Sequence, residues 1–244
     1  MEEIAIDVKN ISKRFKVPKK GWLGNFGSEK RTFLALDNIS FQLPRGKMFS
    51  IMGLNGSGKT TLLRVLAGIY KPDSGIVTMN GRLSQILHVG TGFNEEFPAR
   101  DNIIASGILL GMEKSEIEQK IDKIIQFAEL EKFADQKLKH YSTGMRGRLA
   151  CSTALEVNPD ILLMDEILST GDIRFREKSY KAFLSFKEKG KTVLFTTHSI
   201  PMTLELAEKV ILLDKGRVVT IGKPPEVISK YKEIAGSNKI KTDF

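Results

Sequence analysis

Residues 49–66 are FSIMGLNGSGKTTLLRVL, and this stretch decides the fold. A short apolar run, Phe49 to Met52, enters a segment at 53–60 that matches the pattern G-x-x-x-x-G-K-[ST]. The residues from Thr60 to Leu66 then continue as a predicted helix. Strand, loop and helix in this order predict a phosphate-binding loop, because glycines let successive backbone N–H groups wrap a phosphate.

The side chains of this loop suggest a bound nucleoside triphosphate. Lys59 is expected to reach the β- and γ-phosphates, and the Thr60 hydroxyl is expected to ligate Mg²⁺. A merely flexible glycine turn is the alternative, but it does not account for the strand before the loop and the helix after it. The candidate nucleotide-binding residues are Gly53, Asn55, Gly56, Ser57, Gly58, Lys59, Thr60 and Thr61.

Two carboxylates follow a second apolar run, ILLMDE at 161–166. The pattern predicts a buried strand that delivers Asp165 and Glu166 to its C-terminal edge, where ligands bind in parallel sheets. Asp165 is expected to hold Mg²⁺, and Glu166 to polarise the attacking water. Taken alone, a strand that ends in an acidic turn explains the pattern about as well.

A third motif, YSTGM at 141–145, precedes a predicted helix. At a helix N-terminus, Ser142 and Gly144 would offer a hydroxyl, N–H groups and the positive end of the helix dipole to a phosphate. As a bare pattern the motif is also an ordinary helix N-cap.

The remaining strands indicate an α/β fold. Residues 4–8 alternate like a strand, and residues 33–43 are predicted to form another strand. Strand-like runs at 161–164 and 192–197 are separated by a helical stretch at 173–189, the alternation expected of a parallel sheet with crossover helices.

A helical insert interrupts this pattern at about residues 95–150. Five apolar residues recur there at helical spacing, namely Ile117, Ile121, Ile124, Ile125 and Ala128. Two apolar runs within 210–221 flank Asp214-Lys215-Gly216 and predict a hairpin. We therefore predict one domain over residues 1–234, followed by a frayed polar tail at 235–244.

Composition limits the classes of protein that remain. The chain has 244 residues, of which 41% are hydrophobic and 27% charged, as in ordinary globular proteins. Cys151 is the only cysteine, which excludes an intramolecular disulfide and a cysteine-rich zinc cluster. The net charge of +9 suggests an anionic partner. Because no run of about 18 apolar residues or signal peptide occurs, a cytoplasmic chain is expected.

The three motifs resemble, in order and spacing, those of the ABC transporter ATPases, and the resemblance extends over residues 4–232. Residues 53–60 match Walker A, 161–166 match Walker B, and 141–145 match the signature motif. The resemblance implies an ABC-type core with an antiparallel β subdomain and a helical subdomain, and an ATPase activity with ATP and Mg²⁺ as cofactors. Thr143 departs from the family's first signature glycine.

Further residues are implied by this resemblance alone. Asp172, at the end of STGD, occupies the D-loop position and would lie at a dimer interface, although an exposed aspartate in a turn is the alternative. His198 follows the strand at 192–197 and matches the switch histidine that contacts the γ-phosphate. An ordinary polar surface histidine is its alternative.

Two subsites fit the family less closely. Phe15 matches the aromatic residue that stacks on adenine, although a core role is about as plausible. The family's Q-loop residue, usually Gln, aligns with His88, whose imidazole could bind a metal or a water. Gln85 is nearby but out of register.

Three blocks, at 90–103, 141–152 and 164–178, resemble the ABC subunits that export bacterial O-antigen, teichoic acid or capsule chains. The resemblance implies a nucleotide-sandwich homodimer that binds two copies of a transmembrane permease at the cytoplasmic face of the cell membrane. The cargo implied is a polyprenyl-pyrophosphate-linked glycan.

Two other functions stay open. One is an ABC subunit that serves a lipid or drug cargo. The other is a DNA-associated ABC ATPase, which the absence of a long heptad run and of a cysteine set disfavours, so no nucleic-acid partner is expected.

The basic segment 16–31 carries Trp22, Leu23 and Phe26 among lysines. Tryptophan beside lysine is typical of a membrane interface, which suggests contact with the membrane face and the lipid-linked glycan. A solvated basic loop with Trp22 in the domain's own core is nearly as well supported.

Overall fold

The computed structural model describes residues 2–18, 30–87, 90, 92–165 and 172–239. The chain divides into two compact units. The single domain expected over residues 1–234 stays a prediction. The first unit comprises residues 1–45, 49–80 and 196–244, and the second comprises residues 46–48 and 81–195.

The first unit contains an antiparallel sheet of three strands. β1 (Ile4–Pro18) lies between β2 (Lys30–Pro44) and β4 (Ser74–Met79). Both long strands extend beyond the predicted runs at 4–8 and 33–43, and they stay paired as far as Pro18 and Lys30. The predicted strands were shorter because the polar residues at these ends carry no apolar alternation.

The same unit contains the central phosphate-loop strand. β3 (Met48–Met52) is buried throughout and pairs in parallel with β8 (Lys209–Asp214). β8 forms the predicted hairpin with β9 (Arg217–Gly222). Three helices complete the unit: α1 (Lys59–Leu66), α6 (Ile200–Leu206) and α7 (Pro224–Lys239).

The second unit contains three further strands in the order β5, β6, β7. These are Leu83–Ile86, Ile161–Asp165 and Thr192–Thr196. β5 and β6 pair in parallel. α5 (Ile173–Glu188) lies between β6 and β7 in the chain, so the predicted strand, helix and strand alternation is confirmed.

The predicted helical insert is also present in the second unit. It consists of α2 (Ala99–Leu109), α3 (Lys114–Ala128) and α4 (Thr143–Leu155), with short 3-10 turns at Glu131–Phe133 and Leu138–His140. The five apolar residues that predicted α3 are its buried residues. The mixed α/β core with an antiparallel sheet and a helical segment is therefore confirmed.

The last helix overlaps the start of the predicted frayed tail at 235–244. α7 continues to Lys239, five residues beyond the start of the predicted frayed tail, because the turns after residue 234 extend a helix that already packs through Val227 and Ile228. Residues 240–244 lie outside the described residues. Within the described part of the chain, no helix is long and apolar enough to cross a membrane.

Candidate nucleotide site

The phosphate loop ends in a glycine that starts α1. Gly58 adopts a left-handed conformation, with φ of 108°, and no side chain caps the helix. The first helical hydrogen bond is donated by the Leu62 N–H to the Gly58 carbonyl at 2.8 Å. Since the first N–H groups of a helix have no partner within it, they are available here to an anion.

Lys59 is buried, with 8% of its surface exposed. Its Nζ donates to the carbonyl oxygens of Gly53 at 2.7 Å and Leu54 at 3.2 Å. A buried ammonium needs such partners. The loop therefore holds the Lys59 ammonium against its own carbonyl oxygens. Phosphate oxygens of a bound nucleotide can replace these carbonyls as hydrogen-bond acceptors.

The back of the loop is fixed by residues that are distant in sequence. The Gly216 N–H donates to the Ser57 carbonyl at 3.0 Å, and the Gly216 carbonyl accepts from the Asp37 N–H at 2.8 Å. Arg217 pairs with the Asp37 carboxylate at 2.5 Å. A Cβ at Gly58 would lie 2.9 Å from the Ala35 carbonyl oxygen. The β8–β9 hairpin and β2 therefore leave no room for a side chain there.

The loop has the features that a polyphosphate requires. Gly53, Gly56 and Gly58 all have positive φ. The Ser57 hydroxyl is buried and has no hydrogen-bond partner among the described residues. Asn55 and Gly56 are exposed, whereas Thr60 and Thr61 are half-buried. The unpartnered Ser57 hydroxyl and the uncapped N–H groups at the start of α1 are hydrogen-bond donors beside exposed loop residues. Such donors fit the phosphates of ATP.

Phe15 lies in the same unit and is half-buried. Its ring meets the Tyr70 ring edge-on, with centroids 5.3 Å apart, and the Lys13 ammonium lies 5.6 Å from its centroid. The ring is thus packed but not enclosed, and both the stacking and the core interpretation remain compatible with it.

The second unit contains β6, the apolar strand that ends in the candidate residue Asp165. Asp165 is half-buried at the C-terminal end of β6, after four buried residues. The predicted catalytic Glu166 and the predicted metal ligand His88 lie outside the described residues. Over the part of the chain that is described, no group of three or more His, Cys, Asp or Glu could hold a metal. The predicted Mg²⁺ ligands Thr60 and Asp165 belong to different units.

The signature residues form a capped, exposed helix end. The Ser142 hydroxyl accepts from the Met145 N–H at 3.2 Å, and Ser142, Thr143 and Gly144 are all exposed. The hydroxyl of the buried Tyr141 donates to the Phe133 carbonyl at 2.6 Å, and burial raises the pKa of Tyr141. The structure thus shows the ordinary N-cap that the bare pattern predicted. The same helix end is exposed, so a ligand can reach it.

The two remaining predicted residues are exposed. Asp172 caps α5, because its Oδ1 accepts from the Phe175 N–H at 3.0 Å. His198 lies between β7 and α6, next to Ser199, which caps α6 by accepting from the Met202 N–H at 3.3 Å.

One buried residue without a sequence motif organises the segment that precedes α2. Asn102 is fully buried; its Nδ2 donates to the carbonyls of Asn94, Phe97 and Pro98 at 2.9 to 3.0 Å. Its Oδ1 accepts from the Asn94 N–H at 2.6 Å. No sequence signal marks this role, because Asn102 is an ordinary polar residue within a helix.

Asn102 thereby shapes a segment whose acids reach the signature helix. Glu95 pairs with Arg146 of α4, and Glu96 accepts from Lys139 at 3.1 Å and Lys137 at 3.3 Å. The hydrogen bonds from Lys139 and then from Lys137 lower the pKa of Glu96.

A model of the family described as ABC transporter matches residues 36–169, more than half of the chain. The match begins within β2, includes the phosphate loop and the signature motif, and extends past β6. This chain belongs to the ABC transporter family. The expected ABC resemblance is confirmed, and the chain is an ATP-binding and ATP-hydrolysing cassette of that family.

Several relatives carry descriptions of polysaccharide export. The O-antigen export system ATP-binding protein RfbB of Myxococcus xanthus is 44% identical over 82% of this chain and 46% of its own length. The protein of the same description from Klebsiella pneumoniae is 38% identical over 83% of this chain and 82% of its own. The teichoic acids export ATP-binding protein TagH of Enterococcus faecalis is 37% identical over 95% of this chain and 53% of its own. This chain thus spans about half the length of two of these relatives.

Solved structures confirm the ABC-type fold. A dimeric ATP-binding cassette in a post-hydrolysis state, bound to ADP and Pi, matches with a TM-score of 0.72 and 26% identity. The match covers 90% of this chain and 98% of that one.

Proposed function

We propose that this chain drives a transporter that exports a polyprenyl-pyrophosphate-linked polysaccharide of the O-antigen, teichoic acid or capsule type. The observation that carries the proposal is its relation to RfbB and TagH, at 37% to 44% identity over at least 82% of the chain. A transmembrane permease and attachment at the cytoplasmic face of the membrane belong to the same proposal.

Within one copy, the phosphate loop binds ATP. The Lys59 ammonium exchanges the carbonyls of Gly53 and Leu54 for β- and γ-phosphate oxygens. The sequence motifs give the Thr60 hydroxyl, the Asp165 carboxylate and His88 as candidate Mg²⁺ ligands. Mg²⁺, when bound, neutralises charge on the phosphate oxygens. Phe15 stacks on the adenine.

Hydrolysis needs a base and a group near the γ-phosphate. Glu166 would orient the attacking water, and His198 would contact the γ-phosphate and that water. His198 is exposed, which leaves its ring accessible to a ligand.

A second copy completes the site. The N-terminus of α4 is exposed and has no acidic residue in its first turn, so its positive dipole end is not neutralised within the helix. Ser142 and Gly144 would receive the γ-phosphate held by the partner copy, and the exposed Asp172 would lie at that interface. Closure of two copies on two ATP molecules would then move two permease subunits.

The cargo is tested by purification with the membrane partner from native membranes, in wild type and in Glu166→Gln. The amide keeps the size of the side chain but cannot act as the base, so Glu166→Gln should bind ATP and nearly lose hydrolysis. Mass spectrometry of the lipids bound to this ATP-trapped complex should find a pyrophosphate-linked glycan. Phospholipid or drug alone would refute the polysaccharide cargo, and wild-type turnover in Glu166→Gln would refute its catalytic role.

A further inference from the structure

The loop that follows α1 returns to the helix. We name residues 67–73 the post-helix loop. The N–H groups of Ile69 and Tyr70 both donate to the Arg64 carbonyl, at 2.9 and 3.1 Å. Gly68, which directly precedes Ile69, has a φ of 74°, a conformation that favours glycine at the end of a helix. Tyr70 is therefore held in place relative to the C-terminal end of α1.

Side chains strengthen this link and extend it to Phe15. Arg64 Nη1 donates to the Tyr70 hydroxyl at 3.2 Å, and its guanidinium carbon lies 5.8 Å from the centroid of the Tyr70 ring. The Tyr70 ring in turn meets the Phe15 ring at 5.3 Å and an interplanar angle of 72°. An edge-to-face pair of this kind is a favoured aromatic geometry.

A second set of contacts holds the strand that carries Phe15 against the same loop. The Asp73 carboxylate accepts from the Arg14 N–H at 2.5 Å and from the Lys13 Nζ at 3.2 Å. The Asp73 N–H donates to the Ser12 carbonyl at 2.8 Å. Backbone and side-chain hydrogen bonds thus fix residues 12–15 of β1 to the loop. The position of Phe15 therefore depends on the position of the loop.

α1 then connects two parts of one nucleotide site. Its first residue, Lys59, belongs to the phosphate loop, and its last turn carries Arg64. Eight residues of α-helix span about 12 Å. We propose that Tyr70 and Arg64 are positioning residues for the purine base: through Phe15 they set the place of the base relative to the phosphates. This inference rests on the proposed stacking of adenine on Phe15.

The physical reason is preorganisation. A ring that is already fixed loses less side-chain freedom when the base binds, so more of the stacking energy appears as affinity. The contribution should depend on the base, because the triphosphate is bound by the loop at the other end of α1.

The test compares the dissociation constants of ATP and of inorganic triphosphate, both with Mg²⁺, in the purified chain. Tyr70→Leu removes the ring and the hydroxyl, and it should weaken ATP about three- to tenfold while leaving triphosphate unchanged. Tyr70→Phe keeps the ring and loses only the hydrogen bond to Arg64, so its effect on ATP should be smaller. Ile69→Ala, a control at an exposed residue of the same loop, should change neither constant.

Phe15→Leu separates the possible failures. If it weakens ATP but not triphosphate while Tyr70→Leu has no effect, the base site stands and the positioning role is refuted. If Tyr70→Leu weakens ATP and triphosphate equally, Tyr70 is a general structural residue and the inference is also refuted. If Phe15→Leu leaves both constants unchanged, the base does not stack on Phe15, and the proposed base site fails together with the inference.

Discussion

The N-termini of α1 and α4 both follow a motif associated with phosphate, yet they are built differently. α1 starts at Gly58 without a side-chain cap, and the loop before it is backed by the Gly216 N–H and the Ala35 carbonyl. α4 starts at Ser142, whose hydroxyl already caps the helix, and its first residues are exposed.

The difference indicates which end encloses its ligand. At α1 the positive-φ glycines and the uncapped N–H groups lie within one unit, so we expect the loop to bind a phosphate alone. At α4 the Ser142 hydroxyl already caps the helix end and its first residues are exposed, so we expect a phosphate to reach it only from a second copy. The comparison therefore predicts separate effects on nucleotide binding and on hydrolysis.

The largest effect is expected from Lys59→Ala. This change removes the only side-chain ammonium that bonds to the loop carbonyls of Gly53 and Leu54 in the described structure. Loss of a charged hydrogen bond should weaken ATP binding about 10- to 100-fold and abolish hydrolysis with it. Titration with a fluorescent ATP analogue measures the binding. Wild-type affinity would show that the loop does not bind the phosphates.

Ser142→Arg should separate binding from hydrolysis. A bulky cation at the open end of α4 would block the partner's phosphate, so turnover should fall at least about 100-fold while ATP binding stays unchanged. Ser142→Ala is the matched control: it removes the cap, costs about 1 kcal/mol of stability, and leaves the space open. Phosphate release measures the hydrolysis of both variants, and the melting temperature measures their stability. An active Ser142→Arg homodimer would contradict a site completed by a second copy.

A pair of glycine substitutions tests the same contrast through stability. Gly58→Ala places a Cβ at a φ of 108° and 2.9 Å from the Ala35 carbonyl oxygen, and should destabilise the chain by about 1–3 kcal/mol. Gly144 lies in a helical turn, where the Cβ added by Gly144→Ala would be 3.9 Å from the nearest atom, the Ser142 hydroxyl oxygen. This change should leave stability unchanged or raise it by up to about 1 kcal/mol, but lower hydrolysis. Equal melting temperatures for the two variants would refute the contrast.

The smallest effect concerns the ion pairs beside α4. Bonding to Lys139 and Lys137 lowers the pKa of Glu96 in the folded chain. Its contribution to stability is therefore complete above the pKa of the unfolded chain and is lost as the pH falls through the lower folded pKa. The melting temperatures of wild type and Glu96→Gln should differ at pH 7 and converge toward pH 3. A difference that is constant with pH would show that the ion pairs do not contribute.

Much of the fold could be predicted because its signals are local. The loop at 53–60, the acidic strand at 161–165 and the apolar spacing of α3 each depend on residues within a few positions of one another. The prediction failed where local pattern is weak. β4 and β5 were missed because β4 is mostly exposed and β5 has only four residues. The division into two compact units depends on contacts between distant segments, which no local pattern indicates.

The candidate site divides in the same way. The identities of Lys59, Thr60, Asp165 and Ser142 follow from motifs. The roles of all the candidate site residues, Glu166 and His88 included, remain predictions from the sequence. Tyr70, Asn102 and Gly216 carry no motif, and only the structure assigns their contacts.

The sequence by itself determined that this chain contains a phosphate loop between a strand and a helix, because glycine spacing and apolar periodicity act over a single turn of backbone. Only the tertiary structure decided what supports that loop. The contact of Gly216 with Ser57 joins residues far apart in the chain, and it exists because β8 pairs with β3 and turns into β9 at Gly216. Periodicity predicts that strands exist, but their order in the sheet is set by how they pack.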